Sequence, residues 1–173
     1  MELSASPAIR RRVLALWFAR LPTDRLQRQR SASPADPPLV LSLKSNNARI
    51  LYAVDRKAAQ LRLTPGMALA SARAMVRELA VVEADAAADA KLLAQIADWC
   101  DRFTPFVALD GSDGLLLDVT GATHLFGGEP AMLKTVRTAI AVNSAVGSSY
   151  RSRAIRRGRP ARFRCPCWCP SPA

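Results

Sequence analysis

Short apolar runs bounded by polar or basic residues are the first pattern visible along the chain. They occupy residues 13–18 (VLALWF), 39–43 (LVLSL) and 49–54 (RILYAV), with the polar stretch KSNN at residues 44–47 between the second and third. Runs of this length predict buried strands, and the polar stretch predicts a turn. A further short strand is predicted at residues 81–83.

A different periodicity predicts helices. Residues 85–103 form one apolar stripe at three- and four-residue spacing, made of Leu92, Leu93, Ile96, Trp99, Cys100 and Phe103. Such a stripe predicts an amphipathic helix whose apolar side chains, Trp99 included, are buried. Shorter helices are predicted over residues 21–26, 55–61, 68–79 and 130–140.

Two apolar runs at residues 106–109 and 115–119 flank the sequence DGSDG at residues 110–114. Turn-forming residues between such runs predict a β-hairpin with Asp110 and Asp113 at its tip. Carboxylates at strand ends are suitable ligands for Mg²⁺, but aspartate and glycine are also common simply as turn residues. The pattern alone leaves both interpretations open. The order of elements predicts a mixed α/β (α+β) fold.

The apolar periodicity stops near Ile140, and residues 141–173 are rich in Arg, Ser, Pro and Cys. These residues contain seven arginines and no acidic residue, which leaves a net charge of +4 on residues 1–140 out of the total of +11. The tail has two interpretations: a disordered basic segment that binds phosphates, or an out-of-frame product that is not native to the fold. A mildly basic body is compatible with nucleic acid but does not require it.

The cysteines and the hydropathy pattern narrow the class of protein. Cys100 lies within the predicted helix and is interpreted as a small buried residue. The segment CPCWC at residues 165–169 lacks the C-x₂-C spacing of zinc sites. No apolar run is long enough to predict a membrane span, and the N-terminus lacks the features of a secretory signal. We therefore expect a cytoplasmic protein.

Several segments together resemble the Y-family translesion DNA polymerases. Residues 52–61 (YAVDRKAAQL) and 63–67 (LTPGM) resemble the fingers segment, and residues 90–103 followed by LDVTG at 117–121 resemble the palm helix and hairpin. The further motifs LPTDRL, DWCDR and HLFGG are similar to the polymerase-inactive, ImuB-type branch of that family. The resemblance covers about residues 11–137. It implies a partial palm and fingers region at residues 11–140, with the fingers at about 38–80.

The resemblance also implies where the chain departs from an active polymerase. The family holds two Mg²⁺ ions with carboxylates, the first of which comes from the end of the N-terminal strand. That position reads Trp17-Phe18-Ala19 here. The adjacent acidic pair of the hairpin falls on Asp113 and Gly114, so Asp113 is expected to be a vestigial metal ligand.

The family's triphosphate clamp is altered as well. Its tyrosine and arginine, three residues apart on the fingers helix, fall on Arg56 and Ala59. Arg56 is therefore a candidate contact for a nucleotide or DNA phosphate, but the paired clamp is absent. No cofactor is expected, and Mg²⁺ would matter only for residual activity.

The function implied by the resemblance is a non-catalytic accessory in error-prone translesion synthesis during the SOS response to DNA damage. The implied partners are DNA, an error-prone C-family polymerase, the RecA-like protein ImuA and the sliding clamp, although the regions that bind the last three are not recognised here. One alternative is a DNA-directed DNA polymerase that uses Asp110, Asp113 and Asp118. A further alternative is a basic protein that binds nucleic acid without sequence preference.

Overall fold

The computed structural model describes residues 11–30, 33–143 and 150–157. In chain order, the elements are β1 (Arg12–Phe18), α1 (Leu21–Gln29), β2 (Leu39–Ser45), β3 (Ala48–Val54), α2 (Arg56–Gln60), α3 (Leu69–Met75), β4 (Ala80–Glu83), α4 (Ala86–Cys100), β5 (Val107–Asp110), β6 (Gly114–Asp118), a 3₁₀ turn (Thr123–Phe126), α5 (Glu129–Asn143) and β7 (Tyr150–Arg157). They form two sheets with separate hydrophobic cores. The mixed α/β composition confirms the fold class expected from the sequence.

The larger sheet has the strand order β5-β6-β1-β7, and each neighbouring pair is antiparallel. We call this sheet, with α1, α4, α5 and the 3₁₀ turn, the large lobe. The smaller sheet has the order β3-β2-β4, in which β2 pairs antiparallel with β3 and parallel with β4. We call this sheet, with α2 and α3, the small lobe.

The core of the large lobe forms because β1 alternates in burial. Leu14, Leu16 and Phe18 point into the core and are almost completely buried. Helices α4 and α5 cover these side chains with their own apolar residues, including Leu92, Ile96, Met132, Val136 and Ile140. The helix stripe read from the sequence therefore packs on the sheet, as predicted.

The small lobe has a more local core. Val40, Leu51, Val54, Ala58, Leu63, Leu69 and Ala72 make up its buried apolar cluster. The side chain of Asp55 caps α2 by accepting a hydrogen bond from the Ala58 N–H at 2.7 Å. Gln27 of α1 donates a second hydrogen bond to this carboxylate at 3.0 Å, so one buried aspartate joins the two lobes.

Two helix predictions need correction. Helix α3 ends at Met75, before the predicted end at residue 79, because Val76 has an extended backbone (φ −131°, ψ 110°). Trp99 is only partly buried: its ring packs edge-to-face on Phe103, and the Arg102 guanidinium lies 4.0 Å from the ring centroid. The indole thus lies at the rim of the core.

Cys100 is fully buried, as predicted. Burial, with a smaller contribution from the charge of Asp101, raises the pKa of its thiol to about 12. The thiol therefore stays protonated at neutral pH and behaves as a small apolar residue.

Part of the predicted tail belongs to the fold. Residues Tyr150–Arg157 form β7, which pairs antiparallel with β1. The interpretation of residues 141–173 as a tail outside the fold is corrected for these eight residues, since the free edge of β1 gives their backbone a hydrogen-bonding partner. The CPCWC segment at residues 165–169 lies outside the described residues.

Candidate functional site

A cleft of about 390 Å³ lies between the two lobes. The large lobe lines it with Trp17, Phe18, Ala19, Arg20, Pro22, Ser112 and Asp113, and the small lobe lines it with Tyr52, Ala53, Val54, Ala59 and Pro65. The predicted metal residue Asp113 and Trp17, where the family resemblance implies a carboxylate, are therefore on the same wall.

Strand β1 places Trp17 on this wall. Because β1 alternates, its neighbour Phe18 points into the core, whereas Trp17 points outward and remains 49% exposed. In the sheet, Trp17 lies directly opposite Gly114 of β6. The two positions at which the family resemblance expects a carboxylate and finds none are thus cross-strand partners.

Asp113 is held at the end of β1 by two hydrogen bonds. The Trp17 indole Nε1–H donates to the Asp113 carboxylate oxygen Oδ2 at 2.5 Å, and the Phe18 N–H donates to the Asp113 carbonyl oxygen at 2.7 Å. An indole N–H is a donor only, so this side chain cannot ligate a metal. Instead, it donates to Asp113 Oδ2, so among the described residues Asp113 is the one carboxylate at this end of the wall that could still ligate a metal.

Gly114 is closed to any side chain in this conformation. A Cβ built there would lie 2.5 Å from the Asp110 carbonyl oxygen and 3.1 Å from the Asp110 Cβ. The hairpin bends back through Gly111, which has a left-handed backbone (φ +67°), and this brings Asp110 against Gly114. A glutamate at position 114 would therefore require the loop to move.

The wall formed by the small lobe is largely neutral. The pKa of the Tyr52 hydroxyl is raised above its ordinary value of 10.0, first by burial and then by the negative charges of Asp89 and Asp113, while Arg25 opposes the shift. Tyr52 consequently stays an uncharged phenol at neutral pH. Ala59, where the resemblance expects an arginine, also lines the cleft and supplies no charge.

A pair of divalent ions does not fit these side chains. Within the described ranges, no three His, Cys, Asp or Glu side chains form a group that could hold a metal ion. Asp113 is engaged by Trp17, and Asp118 lies at the other end of β6, opposite Val13, where its Oδ1 accepts a hydrogen bond from the Thr120 N–H. Asp118 is therefore not brought together with Asp113.

The other predicted site residue, Arg56, lines a different cavity. It is the first residue of α2, and its exposed side chain borders a cavity of about 580 Å³ together with Arg30 and Lys57. The family resemblance alone made Arg56 a candidate contact for a nucleotide or DNA phosphate. The structure instead groups it with basic residues that the sequence analysis did not identify.

One further charged pair beneath the cleft was also missed. The Arg25 Nε–H donates to Asp89 Oδ1 at 2.7 Å, and both side chains are largely buried. Burial raises the pKa of Asp89 from its ordinary value, whereas the hydrogen bond and charge of Arg25 lower it. The signal in the sequence was weak: Asp89 interrupts the face of α4 that packs against α1, which becomes evident only once the helices are placed.

The sequence of the chain is similar to known proteins. Residues 25–150 match the model of the impB/mucB/samB family, so the match extends beyond the expected end near residue 137. The chain is 54% identical over 71 residues to Protein ImuB from two strains of Caulobacter vibrioides; this alignment covers 41% of the chain and 16% of ImuB. Because the family match spans most of the chain, the chain belongs to the impB/mucB/samB family.

Solved structures agree on the fold. The chain is similar to Dbh DNA polymerase in its insertion ternary complex, with a TM-score of 0.72 and 14% identity, and to DinB from Sulfolobus solfataricus, with a TM-score of 0.68 and 14% identity. Each alignment covers 82% of this chain and 42% of the polymerase. At such low identity the likeness concerns the fold alone, which is Y-family polymerase-like.

Proposed function

We propose that this member of the impB/mucB/samB family is a non-catalytic component of DNA damage tolerance, acting in error-prone translesion synthesis. The observation that carries the proposal is the hydrogen bond between the Trp17 indole and Asp113. Phosphoryl transfer by two metal ions needs several oxygen ligands around both ions. Here the wall of the cleft presents an indole, a glycine and a carboxylate already engaged by that indole.

Packing around Gly114 supports the same proposal. Because the Asp110 backbone fills the space beside Gly114, the wall does not merely lack a carboxylate but is built without room for one. The neutral Tyr52 and Ala59 on the facing wall offer no positive charge to a triphosphate. The small-lobe wall thus offers no charged contact to a metal-bound nucleotide, and the basic residue that lines the described cleft is Arg20 of the large lobe.

The proposed role is accessory. The polymerase-like lobes would engage DNA, and a separate error-prone polymerase, with a RecA-like companion and the sliding clamp, would carry out synthesis in the cytoplasm. The name and fold of the relatives support participation in damage tolerance. The chain covers less than half of those relatives, so the partners belong to the proposal.

A biochemical test measures template-directed primer extension by the full chain with Mg²⁺ or Mn²⁺. We expect no extension above a no-protein control, and none for Trp17→Asp, because Gly114 still leaves the site one carboxylate short. Extension by the wild type that disappears in Asp113→Ala would refute the proposal in favour of the polymerase alternative.

A genetic test separates the accessory role from catalysis. Asp113→Asn keeps an acceptor oxygen for the Trp17 indole but removes the negative charge that a metal requires. In cells that lack the gene, we expect this variant to restore damage-induced mutagenesis as well as the wild type does. Failure of Asp113→Asn, with the wild type active and both proteins equally abundant, would indicate a catalytic carboxylate.

A further inference from the structure

The second cavity, of about 580 Å³, lies where the C-terminal end of α1 meets the start of α2. Three basic residues line it: Arg30 follows α1, and Arg56 and Lys57 begin α2. Two acidic residues, Asp36 and Asp55, line it as well. Whether the cavity attracts an anion depends on which of these charges already have partners.

Both acidic side chains are engaged by N–H donors. Asp55 accepts hydrogen bonds from the Ala58 N–H and from Gln27 Nε2, at 2.7 and 3.0 Å, and is 3% exposed. Asp36 accepts a hydrogen bond from the Ser33 N–H at 2.7 Å through Oδ2. These neutral donors leave both carboxylates charged, so three basic and two acidic side chains give the lining a net charge of +1.

Lys57 tethers the loop that contributes Pro34 and Asp36 to the lining. Its ammonium donates to the Pro34 carbonyl oxygen at 2.7 Å and to the Asp36 carbonyl oxygen, so it holds the loop that closes the cavity. Main-chain carbonyls carry no net charge, so these two contacts leave the positive charge of Lys57 in place. It is held in place before any ligand arrives.

The two arginines have no partner for their side chains in the part of the chain that is described. There, the ion pairs are Arg12 with Glu129 and Arg25 with Asp89. Among the described residues, neither Arg30 nor Arg56 forms a side-chain hydrogen bond or an ion pair, although both border the same cavity. Two unpaired guanidinium groups on one cavity are typical of sites that bind phosphate through paired N–H donors.

We infer that this cavity binds a phosphate group, with Arg30 and Arg56 as its ligands and Lys57 as the residue that fixes the wall. Inorganic phosphate alone is enough to detect the site. That the bound phosphate belongs to DNA, either as the terminal phosphate of a strand or as an internal phosphodiester, rests on the proposed function. The site is distinct from the cleft of Trp17 and Asp113, and it requires no metal ion.

The first experiment titrates the full chain with inorganic phosphate at constant ionic strength by calorimetry. Arg30→Gln and Arg56→Gln should each weaken binding about tenfold, as expected for the loss of a charged hydrogen-bonding partner. Arg73→Gln, which removes an exposed arginine of α3 outside the cavity, is the matched control and should bind phosphate as the wild type does.

A second measurement does not depend on the variants. In ¹⁵N-labelled wild-type protein, phosphate should shift the amide signals of Ser33, Asp36, Arg56 and Lys57 and leave those of Ser112 and Asp113 unchanged. Shifts confined to the cleft residues, or equal phosphate affinity in Arg30→Gln, Arg56→Gln and Arg73→Gln, would overturn the inference.

Oligonucleotides of one sequence, with and without a 5′-phosphate, distinguish the source. If the site binds a terminal phosphate, the phosphorylated strand should bind about tenfold more tightly than the other, and Arg56→Gln should remove this advantage. An internal phosphodiester predicts that Arg56→Gln weakens both strands equally. DNA binding that both pocket variants leave unchanged would contradict DNA as the source of the phosphate but not the proposed function. Phosphate binding without DNA binding would contradict the proposed function but not the pocket.

Discussion

The two lobes differ in how far apart along the chain their core residues lie. The small lobe is one contiguous stretch, from β2 to β4, and its core residues fall between Val40 and Ala72. The large lobe brings β1 and α1 together with α4, β5, β6, α5 and β7, which follow that stretch. One lobe is local in sequence, whereas the other depends on contacts between distant segments.

The two lobes meet at a cleft whose polar residues are separate from both hydrophobic cores. Apolar side chains of both lobes pack in a Y-family polymerase-like fold, while the polar groups of the cleft between the lobes are the Trp17 indole, the neutral Tyr52 phenol, Arg20, Ser112 and Asp113. Core packing and the chemistry of a site can therefore change independently, because the side chains of a strand alternate between the core and the cleft. Phe18 and Trp17 are adjacent examples.

The largest expected effect tests that alternation. Phe18→Ala should lower the free energy of unfolding by about 3–5 kcal/mol, because it opens a cavity in the core of the large lobe. Trp17→Ala, one residue earlier, should cost only about 1 kcal/mol for its exposed hydrogen bond to Asp113. Urea denaturation measures both, and equal losses would show that the two faces of β1 are not distinct.

A mutation in the small lobe tests whether it unfolds as a unit. Leu51→Ala should cost about 2–5 kcal/mol within a core that is smaller and local. We expect faster amide hydrogen exchange in β2, β3 and β4 but unchanged protection in β1 and β6. Leu61→Ala, which truncates an exposed leucine of the same lobe, is the control. Uniform loss of protection in both sheets would mean that the lobes unfold together.

Helix caps provide a smaller contrast. Asp55→Ala should destabilise the protein by about 1–2 kcal/mol, since it removes both the cap of α2 and the contact with Gln27. Asp85→Ala removes only the exposed cap of α4, in the large lobe, and should cost about 0.5–1 kcal/mol. Thermal unfolding of the two variants ranks them, and the reverse order would contradict the role of Asp55 in joining the lobes.

The smallest effect concerns Asp89 in the large lobe. Burial raises its pKa above 3.8 in the folded protein, although Arg25 offsets part of the shift. The folded state then holds the proton more tightly than the unfolded chain, so this residue's contribution to stability decreases as pH rises from about 3.8 through the raised pKa. The stability of the wild type relative to Asp89→Asn should therefore fall with pH in urea titrations. A flat or rising difference would show that the Arg25 pair dominates.

Most of the secondary structure could be predicted from local sequence. The hairpin around Gly111, the stripe of α4 and the strands β1 to β3 all follow from periodicity and turn residues, because those signals act over a few neighbouring residues. Strand β7 was not predicted. Its Arg- and Ser-rich sequence carries no apolar alternation, and its place is given by pairing with β1.

The same distinction between local sequence and tertiary structure applies to the candidate site. The sequence by itself determined the residue identities: Trp17 and Gly114 stand where the resemblance implies carboxylates, Asp113 is acidic, and Ala59 carries no charge. Tertiary structure decided that Trp17 lies across from Gly114 and donates a hydrogen bond to Asp113. It also decided that Asp110 fills the space beside Gly114. Finally, it decided that Arg56 lines one cavity together with Arg30 and Lys57. Such relations depend on strand register and helix placement, which hydrophobic burial between distant segments establishes and no local pattern encodes.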